Sequence, residues 1–592
     1  MEKMYYPNPA FERDEWQPLN GMWEFQFDDN DIGLRKNWQN RDLELKIRVP
    51  FVYQSEMSNL SDSKGNRIEI NAESDYHPVL WYRRKVDIDS INKNTILNFN
   101  AVDYSAMVWV NDHMVTTHVG GYSPFSIDIS AYVKYGENTI VVRCEDYHDP
   151  AQPRGKQIWT DKHWGCWYAP SSGIWQDVWL SFSDEKNIAS AMITPDLDKR
   201  MAHFEIEYSK KVLQAEVLEI QLDYNGKLYQ RAEVSVEKYR QNIHLHISQP
   251  NQVDDKHAWS PESPSLFYVT LLLKDCKGNI LDKVKTYFGM RKISTRNGQI
   301  LLNNRPLYQR LILDQAYWPE SLITPPSKEA LRKDLELIKA LGFNGLRMHQ
   351  KFEDPWLYYL ASEMGLVVWA ELPSAYRFSF NEVENVTRDM LFAVKSLYNN
   401  PSIITWVPFN ESWGIRDVFT DKEEQNFVMG IYYLIKSVDP IRLISGNDGW
   451  EQVVTDFAAL HDYDIYDNES YEKKWSDKKH LFEVAPCHRQ SYAEGFEYKN
   501  EPVILTEFGG IALEKDASGD AWGYRSPAKD EDELLERLRR LMEPILNDDQ
   551  LAGFCYTQLT DVQQEVNGLL YPDRRPKCNV DDFASIFNPR RA

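Results

Sequence analysis

Apolar and polar positions alternate along the first half of the chain and then change period. Up to about residue 183 the apolar runs are short and carry the two-residue repeat of half-buried strands, as at 81–88, 106–110 and 139–143. Asn, Asp and Gly separate these runs, and Asn111-Asp112 directly after one of them suits a tight turn. No helical period of useful length interrupts them, so residues 1–183 read as a β-sandwich. Residues 184–292 repeat the pattern at 202–208, 216–222 and 266–271, and a module of this length suits an immunoglobulin-like sandwich.

From Ile293 to the end at residue 592, strands alternate with helices. Ser327 precedes apolar Leu331, Leu335 and Ile338, with Gly342 just beyond, which predicts a capped helix with a glycine stop. Asp354-Pro355 opens a second helix, with proline at its first position, and Gly365 closes it. Strands are expected to end near Asp314-Gln315, Arg347, Glu371, Glu411, Asn447-Asp448, Asp462-Tyr463, Glu507 and Gln558. Eight such repeats in about 300 residues predict a (β/α)8 barrel, whose active site lies at the C-terminal strand ends. The whole is a multidomain β and α/β chain.

Two of those ends carry the chemistry. Glu411 follows Ile403-Ile404 in the run Trp406-Val407-Pro408-Phe409-Asn410-Glu411, and Glu507 closes Val503-Ile504-Leu505-Thr506-Glu507. Each ends a short apolar run and opens onto turn residues, the pattern of a buried parallel strand. Two carboxylates converging from different strands are what retaining glycoside hydrolysis requires. The acid of such a pair wants a raised pKa, which an apolar surround of Trp406, Phe409 and Trp413 could supply. The nucleophile must stay ionised and wants positive charge, for which Arg347 is the natural candidate.

Composition narrows the partners. With 67 Lys+Arg against 90 Asp+Glu the net charge is −23, which argues against nucleic acid and anionic membranes. Aromatics make up 13%, which fits both sugar binding and large β-rich cores. Cys144, Cys166, Cys276, Cys487, Cys555 and Cys578 form no CxxC pair or zinc spacing, and scattered thiols suggest a reducing compartment. No signal peptide is visible at the start and no run of about 18 apolar residues exists, so a cytoplasmic protein without membrane spans is expected.

At these residues the chain resembles glycoside hydrolase family 2, the family of β-galactosidase, β-glucuronidase and β-mannosidase. The resemblance extends to Gly120-Gly121-Tyr122-Ser123-Pro124-Phe125, Ser172-Gly173-Ile174-Trp175-Gln176 and Phe288-Gly289-Met290-Arg291. It is most specific at Asn410-Glu411. It implies a jelly-roll sugar-binding domain over 1–183, an immunoglobulin-like sandwich over 184–292 and a catalytic (β/α)8 barrel over 293–592. It implies Glu411 as general acid/base, Glu507 as nucleophile, Tyr463 as a hydrogen-bond partner of the nucleophile and Asn410 as a contact to the sugar 2-hydroxyl. His349, Asp314, Trp450, Trp522 and Gln558 are expected to line the pocket. The loop from Arg154-Gly155-Lys156-Gln157 to Asp161 is expected to reach in from the first domain.

The implied activity is a retaining exo-β-glycosidase acting on a glycoside or oligosaccharide, with β-galactoside first and β-mannoside, β-xyloside, α-L-arabinoside or uronate as alternatives. A non-catalytic carbohydrate-binding protein is the alternative of another class. No organic cofactor is required; no metal ligands are assigned, a divalent or monovalent cation stays open, and so does a homo-oligomer. Departures from the family bear on the sugar: Gln350 stands where a histidine usually follows the arginine, and Gly510 replaces a histidine after the nucleophile. Glu565 and Asn567 stand where β-glucuronidases carry the Asn and Lys that grip a uronate, and a carboxylate at 565 is expected to repel one.

Overall fold

The computed structural model describes residues 5–589 apart from 73, 92, 161, 210–215, 248–256, 487 and 518. The chain start at 1–4, Asp161 and Cys487 therefore lie outside the described residues. The first sandwich packs a six-stranded antiparallel sheet, ordered Leu45–Val49, Gly21–Phe27, Val79–Ile88, Gly136–Glu145, Ser105–Val110, His113–Val119, on a four-stranded one. The alternation seen in the sequence sends Val108, Ile140 and Val142 from one sheet and Leu97, Phe99 and Leu180 from the other into a shared core.

The second sandwich has a five-stranded sheet centred on Phe267–Lys274 and a three-stranded sheet of Ile188–Asp196, Met201–Tyr208 and Arg240–His246. Glu12–Arg13 adds an edge to its larger sheet, pairing with Val284 and Lys285. This short strand precedes the first sandwich in sequence yet lies on the second. The reason is local: Arg13 donates to the buried Asp282 carboxylate at 2.9 Å and to the Ile188 carbonyl at 2.6 Å.

The remainder is a parallel barrel. Its strands are β1 Gln309–Asp314, β2 Gly345–Met348, β3 Val367–Glu371, β4 Ile403–Val407, β5 Leu443–Ile444, β6 Ala458–His461, β7 Val503–Glu507 and β8 Leu551–Tyr556. They hydrogen-bond in the order β5-β4-β3-β2-β1-β8-β7-β6. Strands β3, β4 and β7 are buried throughout, as parallel strands covered by helices must be. β5 and β6 share no ladder. Asp456 spans the gap, donating its amide to Ile444 O at 3.0 Å and accepting from the Ile444 amide at 2.7 Å.

Helices α1 Lys328–Ala340, α2 Pro355–Met364, α3 Phe380–Leu397 and α4 Lys422–Val438 follow the first four strands. α5 Asn468–Trp475 and α6 Lys478–Glu483 follow β6, α7 Glu531–Asn547 follows β7, and α8 Val580–Phe587 follows β8. α1 begins on Ser327, whose hydroxyl accepts from the Ala330 amide, and α2 ends on Gly365 at φ 73°, as the sequence predicts. The fifth repeat has no helix. Its connection is a turn-rich, largely buried segment containing Gly446 and Gly449. Among the described residues no helix is long and apolar enough to cross a membrane. The five described cysteines are free thiols.

Candidate active site

The chain leaves β4 through a sharp turn in which Glu411 and Ser412 both adopt left-handed backbone, at φ 52° and 56°. Two consecutive non-glycine residues in that region cost free energy and persist only where surroundings impose them. Here the segment after β5 imposes them. The Glu411 amide donates to Asp448 O at 2.8 Å, the Ser412 amide to Asn447 Oδ1 at 3.1 Å, and Ser412 Oγ to Glu451 Oε2 at 2.7 Å. The turn aims Glu411 across the barrel mouth towards Glu507 at the end of β7.

One nitrogen of His461 and one carboxylate oxygen each from Glu411 and Glu507 lie within 4.8 Å of one another. Glu507 accepts from Arg347 Nη1 at 2.9 Å and from the Tyr463 hydroxyl at 2.7 Å. Tyr463 is held by a flat stack on Tyr524, ring centres 3.5 Å apart. Arg347, fully buried, also pairs with Glu371 at 2.8 Å and Asp448 at 3.0 Å and donates to Asn410 Oδ1 at 2.6 Å. Burial disfavours its charge, but Asp448, Glu371 and Glu507 outweigh burial and hold the guanidinium firmly charged. Asn410 Nδ2 is buried with no protein partner, which leaves a free donor on the residue next to Glu411.

His461 is the group that the sequence reading missed. Its Nδ1 lies 2.9 Å from Glu411 Oε1 and its Nε2 lies 2.8 Å from Asp448 Oδ1 and 3.5 Å from Glu507 Oε1. Burial disfavours its charge, yet the Glu507 charge and the bonds to Asp448 and Glu411 push its pKa up to about 10. Burial would likewise raise Glu411, but the His461 hydrogen bond and charge, followed by the Lys156 charge, hold it well below the usual carboxylate range. These directions put the shared proton on His461 and leave Glu411 a carboxylate. The apolar surround expected to raise Glu411 does not form. Trp406 turns outward and donates to Asp439 at 2.8 Å, Phe409 packs on Phe427, and only Trp413 meets the carboxylate, at 3.3 Å.

The other expected residues divide. His349 bonds Glu371 through Nδ1 at 3.2 Å, and burial with the neighbouring Lys156 and Arg347 charges keeps it neutral. Trp450 stands edge-on to His461, ring centres 5.6 Å apart, with its indole nitrogen unpaired. Gln558 donates to Asn567 Oδ1 at 2.6 Å and leaves its own oxygen without a partner. Asp314 turns away from the carboxylate pair: it caps the Ala316 amide, and burial together with Asp334 pushes its pKa up to about 7. Trp522 acts as a fastener, its indole donating to Gly165 O of the first-domain loop at 2.9 Å.

That loop does enter the barrel mouth. The Arg154 and Gly155 amides donate to Ser374 O beyond β3 at 3.1 Å each, and the Tyr376 hydroxyl donates to Gly155 O. A side chain at Gly155, φ 61°, would put its Cβ 2.3 Å from Gln350 O, so the loop can lie this close only with glycine there. Lys156 is carried in with it and is buried, its ammonium donating to Cys166 Sγ at 3.3 Å. Glu565 does not face an open clamp position. Its two oxygens accept from Tyr168 OH at 2.6 Å and Asn567 Nδ2 at 3.0 Å, so it ties the first-domain loop to the loop after β8. The donors of Glu411, His461 and Glu507 could geometrically share an ion. Arg347 and the proton on His461 already supply the positive charge at that point.

The family models for glycosyl hydrolases family 2, sugar binding domain, for glycosyl hydrolases family 2, and for glycosyl hydrolases family 2, TIM barrel domain, match residues 16–182, 186–291 and 293–526. A putative β-glucuronidase of Formosa agariphila is 28% identical over 61% of this chain and 44% of its own length. A β-galactosidase of Thermoanaerobacter pseudethanolicus is 27% identical over 60% of this chain and 47% of its own. The chain thus spans about half the length of the curated relatives it matches. Among solved structures, a Ruminococcus gnavus β-glucuronidase in complex with D-glucuronic acid superposes with a TM-score of 0.76 at 20% identity, covering 99% of each chain. A β-galacturonidase of Eisenbergiella tayi bound to galacturonate superposes with 0.72 at 19% identity, covering 100% of this chain and 99% of that one.

Proposed function

This chain belongs to family 2 of the glycosyl hydrolases, and we propose that it is a retaining exo-β-glycosidase with Glu507 as nucleophile and Glu411 as acid/base. The observation that carries the reading is the approach of the two carboxylates, with donor atoms within 4.8 Å. Retention works at a carboxyl separation of about 5–5.5 Å, whereas inversion needs about 6.5–9.5 Å to admit a water. Glu507, fixed by Arg347 and Tyr463, attacks the anomeric carbon. The leaving oxygen takes its proton from Glu411, which draws on the His461 proton along the 2.9 Å contact. In the second step Glu411 takes a proton from water, the water opens the glycosyl ester, and Glu507 is released as a carboxylate. Asn410 Nδ2 donates to the sugar 2-hydroxyl. No cofactor enters the scheme.

For the glycone we propose a neutral pyranoside, β-galactoside first. Several curated relatives carry that name, and the Arg347 and His461 charges already have carboxylate partners. A β-uronidase is the second reading, favoured by Lys156, whose ammonium has the Cys166 thiol as its one hydrogen-bond partner among the described residues. A panel of aryl β-galactoside, glucoside, mannoside, xyloside, glucuronide and galacturonide, with the α-L-arabinoside, decides between them at moderate salt. Higher kcat/KM on a neutral glycoside is expected; preference for either uronide supports the second reading. Glu507→Gln should abolish turnover, and azide should partly rescue Glu411→Ala on an activated aryl glycoside. An active Glu507→Gln variant contradicts the assignment.

A further inference from the structure

The second sandwich carries a pair of histidines that the glycosidase reading does not use. His203 in the strand Met201–Tyr208 stands directly opposite His244 in Arg240–His246. Both strands alternate, sending Ala202, Phe204, Ile243 and Leu245 into the core and leaving the two imidazoles on the outer face of the sheet. The ring centres lie 4.6 Å apart with the planes at 78°, and the Nδ1 atoms of the two rings meet. His244 is exposed and His203 half-buried, so solvent reaches the pair. The other nitrogen of His203, Nε2, faces Asp196 Oδ2 at 3.9 Å. Asp196 also accepts from the Lys199 amide and ammonium, at 3.0 Å each.

Two imidazole nitrogens meet in this way only if one lends a proton to the lone pair of the other. A dication can take that proton's place, because each ring can keep its single proton on Nε2, away from the contact. Asp196 favours that tautomer in His203, the part a carboxylate plays behind a metal-bound histidine. An ion about 2.0–2.1 Å from both Nδ1 atoms in tetrahedral geometry holds them about 3.3 Å apart, so the rings need part only slightly. Water completes the shell on the exposed side. Imidazole nitrogen selects zinc, copper or nickel, whereas magnesium and calcium take oxygen. We propose that His203 and His244 form a surface site for one transition-metal dication of the zinc type, which bridges the two strands. The adjoining strand carries Thr194 beside His203 and ties the sheet to the barrel. The Thr194 hydroxyl meets the Tyr398 hydroxyl at 2.8 Å and the Ile193 amide donates to Asn399 Oδ1 at 2.9 Å. The ion therefore braces the second sandwich where it docks on the barrel, apart from the catalytic carboxylates.

Zinc titration of the full chain, freed of metal by a chelator, tests the site. Calorimetry should show a micromolar site for one zinc ion per chain that is lost in His203→Gln and in His244→Gln, each of which keeps a hydrogen-bonding side chain on the outer face. Zinc should raise the melting temperature of the wild type and raise it less in either variant, while magnesium at the same concentration leaves it unmoved. Equal zinc stoichiometry in the wild type and both variants, or binding only at millimolar zinc, overturns the proposal. Copper(II) then reads the ligands directly. In a His461→Gln background, which removes the imidazole of the catalytic cluster, electron paramagnetic resonance with one equivalent of copper should show coupling to two nitrogens. Adding His203→Gln or His244→Gln should remove one of them, and a spectrum that neither substitution changes rejects the site.

Discussion

Replacing His461 by glutamine removes a buried cation from among three carboxylates while keeping a side chain that can hydrogen-bond. The imidazole lies 2.9 Å from Glu411, 2.8 Å from Asp448 and 3.5 Å from Glu507. At about 3 Å and an effective dielectric near 20, each such contact is worth about 5 kcal/mol before desolvation. His461 supplies the strongest influences that keep Glu411 ionised against its burial, so Glu411 must rise in the variant. The basic limb of the kcat/KM profile, set in the wild type by a proton shared between Glu411 and a His461 pushed up to about 10, should then move down by at least two pH units. At pH 7 hydrolysis of glycosides with poor leaving groups should fall about 10²–10³-fold, within the range of general-acid contributions. A dinitrophenyl glycoside, which needs little protonation, should lose less than tenfold at pH 5. The profiles are read by stopped assays from pH 4 to 10, with melting temperatures to confirm folding. An unmoved basic limb, or equal losses on both substrate types, would refute the proton reservoir and leave His461 a purely structural residue.

Gly155→Ala should push the first-domain loop away from Gln350 O; a displacement near 1 Å in a site of this kind costs up to about 10²-fold, so kcat/KM should fall tenfold or more, and unchanged kinetics would show that the loop does not shape the site. Glu382, 1% exposed with neither carboxylate oxygen hydrogen-bonded, is pushed by burial and then by Glu424 from 4.5 to about 9. A folded-state pKa raised in this way gives stability that is complete below pH 4.5 and is lost as pH rises towards 9, at a cost of about 3 kcal/mol by pH 7. Glu382→Gln should therefore gain melting temperature relative to wild type between pH 4.5 and 9, and a difference independent of pH would contradict that assignment.

The strand-end carboxylates were legible because a parallel strand buried on both faces is a continuous apolar run, and a charged residue ending such a run stands out. His461 ends β6, and Asp448, expected at a strand end, lies just beyond β5. Neither was given a role because their importance comes from partners across the barrel, which no local pattern encodes. Trp406 and Phe409 were misread for a related reason: proximity in sequence to Glu411 does not fix direction, and both point into the helix layer. Asp314 and Trp522 occupy the expected strand ends and loops, but a backbone amide and a carbonyl close at hand claim their polar atoms. Lys156 lay within a loop expected to reach the site. Its burial follows from the close approach at Gly155, which only the folded chain reveals.

The most direct test of the central claim is to trap the covalent intermediate. A 2-deoxy-2-fluoro glycosyl fluoride of the preferred sugar slows hydrolysis of the glycosyl-enzyme more than its formation, so the label accumulates on the nucleophile. After proteolysis, mass spectrometry should find the fluorosugar on one peptide, that spanning residues 503–510, with the modification at Glu507. Labelling at Glu411 or at any other residue, or steady turnover with no labelled peptide, would contradict the account.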